Sequence, residues 1–143
     1  MKTSAFDAQK ALYDALVGAA GLAGVPVYLG SVTGQVPEEF VYVAGEIDTG
    51  NQDYELSALS AKLETYDLRV EAFTQYSSDD FELIQTRLDA ISTSIENAVH
   101  ANSTLSGTVM LAQVSRFRME EAVYEGSRQG LLTMWIGCEA WLA

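Results

Sequence analysis

Apolar and polar residues alternate over residues 63–76, and no other stretch of the chain constrains its fold as strongly. Leu68 and Val70 share one side of this pattern, whereas Asp67 and Arg69 share the other. A two-residue period predicts a strand that buries one face and exposes the other to water. The rest of the chain must therefore supply a layer that covers one face of a sheet.

Two predicted amphipathic helices can form that layer. The first begins at Ser4, which together with Asp7 resembles a capping box, and its apolar face includes Phe6 and continues to about Ala20. The second follows residues 77–80, whose hydroxyls and acids suit a helix N-terminus. Its apolar residues fall three and four apart and form one stripe, which contains Phe81, Ile84, Leu88, Ile91, Ile95, Ala98 and Val99.

The remaining β-forming segments complete the predicted fold. They are residues 25–29, 40–43, 109–124 and 131–142. The element order is then α-β-β-β-α-β-β, which predicts an α+β two-layer sandwich with a mostly antiparallel sheet and both helices on one face. The 143 residues match the size of one domain, and no internal boundary divides residues 1–143.

Residues 45–60 do not follow the period of a helix or a strand. Asp48, Asp53 and Glu55 are mixed there with glycine, asparagine and glutamine. This composition predicts a long exposed loop, and loops of such length in compact domains are often functional.

The segment before the last strand is too long to be one straight strand within this domain. Residues 109–124 would span roughly 50 Å at about 3.3 Å per residue. We therefore predict a bend or bulge near Glu120 and Glu121, or a hairpin arm at residues 120–130. The glycine-bounded segment 126–130 is the predicted reversal.

The charge balance bears on the partners of the protein. Twenty acidic and eight basic residues give a net charge of -12. A chain this acidic gains nothing by releasing counterions from DNA, which argues against tight nucleic-acid binding. Solubility explains the charge, and so does a surface that must not adsorb passing nucleic acid. No apolar run approaches the roughly 18 residues of a membrane span, and residues 1–4 lack the order of a signal peptide, so we expect synthesis in the cytosol.

The sequence contains no set of residues typical of catalysis, metal binding or cofactor binding. His100 and Cys138 are the single histidine and the single cysteine, and they lie 38 residues apart, whereas zinc sites need several such ligands. We expect Cys138 to be a buried structural thiol. No glycine-rich phosphate-binding motif is present. These observations predict a protein that is not an enzyme.

Arg116 and Arg118 lie two residues apart on a predicted strand and therefore face the same side of the sheet. Glu71 and Glu120 are candidate partners across strands within one molecule. The alternative is that the arginines contact an acidic neighbouring subunit, because arginine suits contacts between copies that otherwise repel each other.

Four stretches of the chain resemble the tail terminator (tail completion) proteins of long-tailed bacteriophages. They are the first helix leading to residues 27–30, the segment Pro-Glu-Glu-Phe-Val-Tyr-Val-Ala-Gly-Glu at residues 37–46, the strand and helix over residues 66–99, and the strand, turn and aromatic-rich strand over residues 116–141. The resemblance covers nearly the whole chain as a pattern of elements. Related neck, connector and tail tube proteins share parts of this plan.

The resemblance implies a structural virion protein that forms a hexameric ring. Such a ring sits on the end of the tail tube, stops its growth, contacts the head–tail connector and lets DNA pass through its channel. We expect Arg116, Arg118, Tyr124 and Arg128 at contacts with other subunits or the tube. The predicted acidic loop would face the channel or a neighbour through Asp48, Asp53 and Glu55.

A second hypothesis is a small ligand-binding α+β module. In that case Phe117, Trp135 and Trp141 would line an apolar pocket between the helices and the sheet. An enzyme that uses only carboxylates is a third and weaker alternative.

Overall fold

The predicted order of elements is confirmed. A computed structural model describes residues 1–54, 62–77, 80–124 and 126–142. The elements are helix α1 (Ala5–Val17), a 3-10 turn (Ala20–Leu22), strands β1 (Val27–Leu29), β2 (Glu39–Tyr54) and β3 (Lys62–Tyr76), helix α2 (Phe81–Ala101), and strands β4 (Leu111–Tyr124) and β5 (Ser127–Leu142).

The five strands form one sheet in the order β1-β2-β3-β5-β4. All neighbouring pairs are antiparallel except β1 and β2, which run parallel. β3 lies at the centre of the sheet, which explains why its sequence shows the clearest alternation. Short β1 and long β4 are the two edge strands.

Both helices cover the same face of the sheet, and the core lies between these two layers. The stripe on α2 buries Ile84, Leu88, Ile91 and Ile95. α1 contributes Ala8, Leu12 and Leu16, and the inward side of β3 contributes Tyr66, Leu68, Val70 and Ala72. The structure is therefore the predicted α+β two-layer sandwich.

The other face of the sheet carries no helix among the described residues. At one end of this face Phe40 lies 5.2 Å from Phe73 and 6.2 Å from Tyr28, between ring centroids. Phe40 is only 7% exposed although it lies outside the core between the layers. The face is thus apolar at this end and charged further along.

The predicted start of α1 is wrong in detail. Ser4 precedes the helix, but its hydroxyl does not cap it and instead donates to Glu64 Oε1 at 2.7 Å. Phe6 is 66% exposed rather than part of the buried face. Gln9 takes an inward position, because its amide donates to the carbonyl of Ala44 at 3.0 Å. A partner on β2 therefore replaces the apolar contact that the helical period favours.

The predicted loop over residues 45–60 is wrong as far as Tyr54, because residues 45–54 belong to β2. The pairing of β2 with β3 shifts register twice, between Val43 and Ile47 and between Asp48 and Asn51. These irregularities break the two-residue period, and a strand bordering water does not need apolar residues on both sides. Residues 55–61 lie outside the described part of the chain.

The predicted irregularity in β4 exists, but it is not near Glu120 and Glu121. The register with β5 shifts between Val114 and Arg116, so Ser115 is the extra residue. The predicted reversal at 126–130 is also wrong beyond Gly126, because β5 already begins at Ser127. β3 pairs with β5 up to Arg128, so on that side the hairpin is part of the sheet rather than a projecting arm.

Gly130 lies where side chains of α2 pack directly against the backbone of the sheet. A Cβ atom there would lie 2.5 Å from Ile84 Cγ2 and 2.8 Å from Leu88 Cδ1. We expect Gly130→Ala to lower the free energy of unfolding by about 1–3 kcal/mol, because an overpacked core must shift side chains or backbone. Urea unfolding monitored by circular dichroism measures this change.

Gly50→Ala is the matched control, since a Cβ at Gly50 has no neighbour within 4 Å. We expect its effect to be within about 0.5 kcal/mol, as for surface substitutions in general. Equal destabilisation by the two variants would show that Gly130 is not a packing constraint.

Candidate subunit interface

The outer side of β4 is an open sheet edge over most of its length. Near its start Ala112 N–H donates to the carbonyl of Ser103 at 2.7 Å. Beyond that point no strand of the described residues pairs with the outer side of β4. An unpaired edge of this length is a template for another chain unless it is blocked. Its position makes β4 the first candidate for contact with a partner.

Large apolar side chains on β4 are exposed to solvent. Phe117 is 72% exposed, Val123 64% and Met119 36%. Phe117 pairs with Met134 and Met119 pairs with Leu132, so these two side chains point to the same side of the sheet as the helices. An open groove separates them from α2. Exposed apolar residues along an open edge are typical of a protein–protein interface.

Arg116 and Arg118 point to the opposite side, the face without helices. The Arg116 guanidinium lies 4.1 Å from the centroid of the Trp135 ring. Arg118 Nε lies 2.9 Å from Glu120 Oε1 on the same strand. Arg118 therefore pairs with Glu120 within the molecule, but along one strand rather than across strands as predicted. In the part of the chain that the structure describes, no carboxylate lies within 4.0 Å of Arg116.

Glu71, the other predicted partner, does not reach either arginine. Its Oε1 lies 3.7 Å from Arg69 Nε and 3.5 Å from the Thr133 hydroxyl. Burial raises the pKa of Glu71, with a smaller rise from the negative charge of Glu120 and an opposing effect of the Thr133 hydrogen bond. The prediction that Glu71 pairs with Arg116 or Arg118 is thus wrong, because Arg69 is nearer on the same strand.

Arg128 and Tyr124 lie at the hairpin end of the same edge. Arg128 Nη1 lies 2.8 Å from Glu121 Oε1. Arg128 pairs with Val123, so its side chain points to the helix side rather than to the side of Arg116. Tyr124 ends β4 opposite Ser127, and its side chain is outside the described part of the structure. The four predicted contact residues therefore share one hairpin but not one face.

In place of the predicted acidic loop the structure has an acidic strand, β2, which lies toward the edge of the sheet opposite β4. Asp48 accepts a hydrogen bond from Trp135 Nε1 at 3.1 Å, and Asp53 accepts one from Asn51 Nδ2 at 2.9 Å. Glu55 lies outside the described residues. Glu46, which no sequence pattern singles out, has an exposed carboxylate that lies 2.7 Å from Arg69 Nη2. β2 carries four acids, namely Glu39, Glu46, Asp48 and Asp53, and no base.

The single histidine and cysteine occupy ordinary structural positions. Cys138 is buried as predicted, and burial raises its pKa to about 12. His100 lies in the last turn of α2, where a basic side chain interacts favourably with the negative end of the helix dipole. Within the described ranges, no three potential ligands group to hold a metal ion, and no helix has the length and apolarity to cross a membrane.

The three aromatic residues of the ligand-binding hypothesis do not line one pocket. Phe117 lies on the helix side of the sheet and borders an open groove between α2 and β4. Trp135 pairs with Arg116 and Trp141 pairs with Leu63, which places both on the face without helices. The predicted arrangement of this pocket is therefore wrong.

Comparison with known proteins identifies the fold but not a family. No protein-family model and no curated protein sequence matches the chain. Among solved structures, the chain is similar to a subunit of the "Virion of native gene transfer agent (GTA) particle", with a TM-score of 0.51 and 16% sequence identity. The similarity covers 92% of this chain and 94% of the virion chain, so the two share one fold over nearly their full lengths.

Proposed function

We propose that the protein is a non-enzymatic structural subunit of a phage or phage-like virion. The observation that carries this proposal is the similarity to a virion subunit, which extends over 92% of this chain and 94% of the other. The open edge at β4, with Phe117 and Val123 exposed, supports it independently. A subunit that assembles with its neighbours needs such a surface, whereas a free monomer does not.

Within the virion, we propose that copies of the chain form a ring that caps the tail tube. The resemblance to tail terminator proteins motivates this role and the number of six copies. The ring would end growth of the tube and present a surface to the head–tail connector proteins. The net charge of -12 fits a channel through which DNA passes without binding, because a polyanion is repelled by such a wall.

The test is polymerisation of purified tail tube protein from the same particle, followed by electron microscopy. Without this chain we expect long tubes of variable length. Addition of the chain is expected to stop growth and to leave a ring-shaped cap at one end of each tube. Tubes that lengthen equally in its presence and carry no extra density would contradict the capping role.

The same images separate the neighbouring alternatives. A tail tube protein would itself lengthen into tubes, and a neck or connector protein would bind the head rather than the tube end. Both outcomes would preserve a structural virion role and exclude the terminator role. Persistent monomers that bind neither tubes nor heads would contradict the virion role itself.

A further inference from the structure

The edge opposite β4 is also open. β1 covers only Val41–Val43 of β2, through the three residues Val27–Leu29. The second half of β2 pairs with β3 on its inner side, but no strand of the described residues lies on its outer side. Next to it lies a groove of about 560 Å³, bordered by the N-terminal end of α1 and by Gly45, Ile47 and Gly50. Phe6 of α1 borders this groove and is 66% exposed.

The two open edges match each other on the helix side of the sheet. At the β4 edge this side carries the exposed Phe117 and Met119. At the β2 edge it carries the groove between α1 and β2, with Phe6 and Ile47 in its wall. If two copies lie edge to edge with their helices on the same side, the protruding aromatic residue of one copy meets the apolar groove of the other.

The edges also match on the face without helices, by charge. Arg116 lacks a carboxylate within 4.0 Å in the described part of its own molecule, whereas β2 carries Glu46 and Asp48 and no base. In the strand register Arg116 lies opposite Trp135, and Trp135 lies opposite Arg69. The side chain of Arg69 in turn contacts Glu46. Arg116 and Glu46 therefore lie at about the same height along the sheet. Opposite charges at matching height favour one partner and one register.

On the basis of the proposed ring, we infer that the β4 edge of one copy packs against the β2 edge of the next copy. Phe117 enters the groove between α1 and β2 of its neighbour, and Arg116 pairs with the neighbour's acidic strand at Glu46. The contact joins two different surfaces of the chain. Repetition of such a head-to-tail contact closes a ring when a whole number of rotations between neighbouring copies adds up to one full turn.

The form of β2 determines the kind of contact. Its free half contains two register shifts, which disturb the regular spacing of backbone groups. A long ladder of hydrogen bonds between copies is therefore not expected. Side-chain packing and ion pairs hold the edges together instead, which makes the contact sensitive to single substitutions.

Cysteine cross-linking tests the contact directly. Phe117→Cys and Gly45→Cys, combined in one chain, are expected to give a ladder of cross-linked oligomers under mild oxidation when the protein is assembled on tubes. Gly45 tolerates a side chain, because a Cβ there has no neighbour within 4 Å. The native Cys138 is buried, and its pKa of about 12 leaves almost no reactive thiolate at neutral pH.

The single variants are the controls and exclude a symmetric contact. Each is expected to remain uncross-linked, because a head-to-tail interface brings residue 117 only to residue 45. Dimers from Phe117→Cys alone would show that two β4 edges face each other and would overturn the inference. A double variant that stays monomeric in a ring visible by electron microscopy would do the same. Cross-links only to another virion protein would assign the β4 edge to that protein.

A charge exchange tests the ionic part. Arg116→Glu is expected to reduce assembly at least tenfold, and Glu46→Arg in the same chain is expected to restore it to within about threefold. Lys10→Glu makes the same charge change on the outside of α1 and should leave assembly unchanged. If Arg116→Glu reduces assembly and Glu46→Arg does not restore it, the ion pair between Arg116 and Glu46 is overturned, whereas the proposed ring still stands. Failure of the unaltered chain to assemble on tubes would instead contradict the proposed function.

Discussion

Replacing Glu64 with alanine is expected to lower the free energy of unfolding by about 2–4 kcal/mol. The residue is 3% exposed, and its Oε1 accepts hydrogen bonds from Ser4 N–H at 2.9 Å and from the Ser4 hydroxyl at 2.7 Å. Its Oε2 accepts a further bond from the Gln52 amide. Alanine removes the acceptor of the Ser4 N–H and leaves the Ser4 hydroxyl and the Gln52 amide with only their second partners, the Tyr66 hydroxyl and the Lys2 carbonyl. The start of α1 thereby loses its hydrogen bonds to Glu64 of β3. Urea unfolding at pH 7 measures the loss.

The same carboxylate is expected to make stability depend on pH. Burial alone would raise the pKa of Glu64, but the hydrogen bonds from Ser4, Gln52 and Thr3 outweigh burial and lower it. A lowered folded-state pKa means that the stabilisation is complete above the unfolded value, which is about 4.3. It is lost as the pH falls through the folded-state pKa.

Glu64→Gln separates the charge from the hydrogen bonds, because it keeps the shape of the side chain. We expect this variant to be less stable than the unaltered chain at pH 7 and to approach it in stability as the pH falls below the unfolded-state pKa of about 4.3 and through the lowered folded-state pKa of Glu64. A constant difference between the two proteins over this range would contradict the assignment of the pH dependence to Glu64.

Replacing Phe117 with aspartate is expected to raise the dissociation constant for assembly by about thirtyfold or more. Buried aromatic residues at the centre of an interface commonly contribute about 2 kcal/mol or more. Because Phe117 is 72% exposed within one molecule, its replacement should leave the fold unchanged. Sedimentation of the protein with preformed tubes measures binding, and circular dichroism verifies the fold.

Leu83→Asp is the matched control for this substitution. Leu83 is also an exposed apolar residue, at 45%, but it lies in the first turn of α2, where an acid is favourable. We expect this variant to bind tubes as the unaltered chain does. An equal loss of binding in both variants would point to charge repulsion in general rather than to the β4 edge.

The layers of the fold were predictable because each repeats a simple pattern over many residues. β3 is covered by strands on both sides and by helices on one face, so its two-residue period is regular from Tyr66 to Ala72. The stripe on α2 has the same physical origin, since its buried residues must all reach one sheet. An element that buries only one side therefore shows a regular spacing of apolar residues in its sequence.

The second half of β2 and the start of α1 were not predictable, because tertiary contacts override the local pattern there. β2 borders water and contains two register shifts, so its residues show no period. Serine is a common helix cap, but the Ser4 hydroxyl donates its hydrogen bond to the carboxylate of Glu64, which lies 60 residues away in sequence. Such a contact leaves no local signal.

The candidate interface was predictable only in part. The two-residue spacing of Arg116 and Arg118 correctly placed them on one face, but nothing in the sequence showed that β4 lies at the edge of the sheet. The exposure of Phe117 depends on that edge position and on the reach of α2. Glu46 was missed because its segment lacked a strand pattern.

Hydrogen–deuterium exchange tests most directly whether the β4 edge is covered in an assembly. The measurement compares the free chain with the chain bound to tail tubes, peptide by peptide. We expect slower exchange in peptides from β4 (Leu111–Tyr124) and the second half of β2, with little change in the exposed face of α2. Unchanged exchange of β4 in a bound chain, with protection confined to α2, would contradict the use of the open sheet edges for assembly.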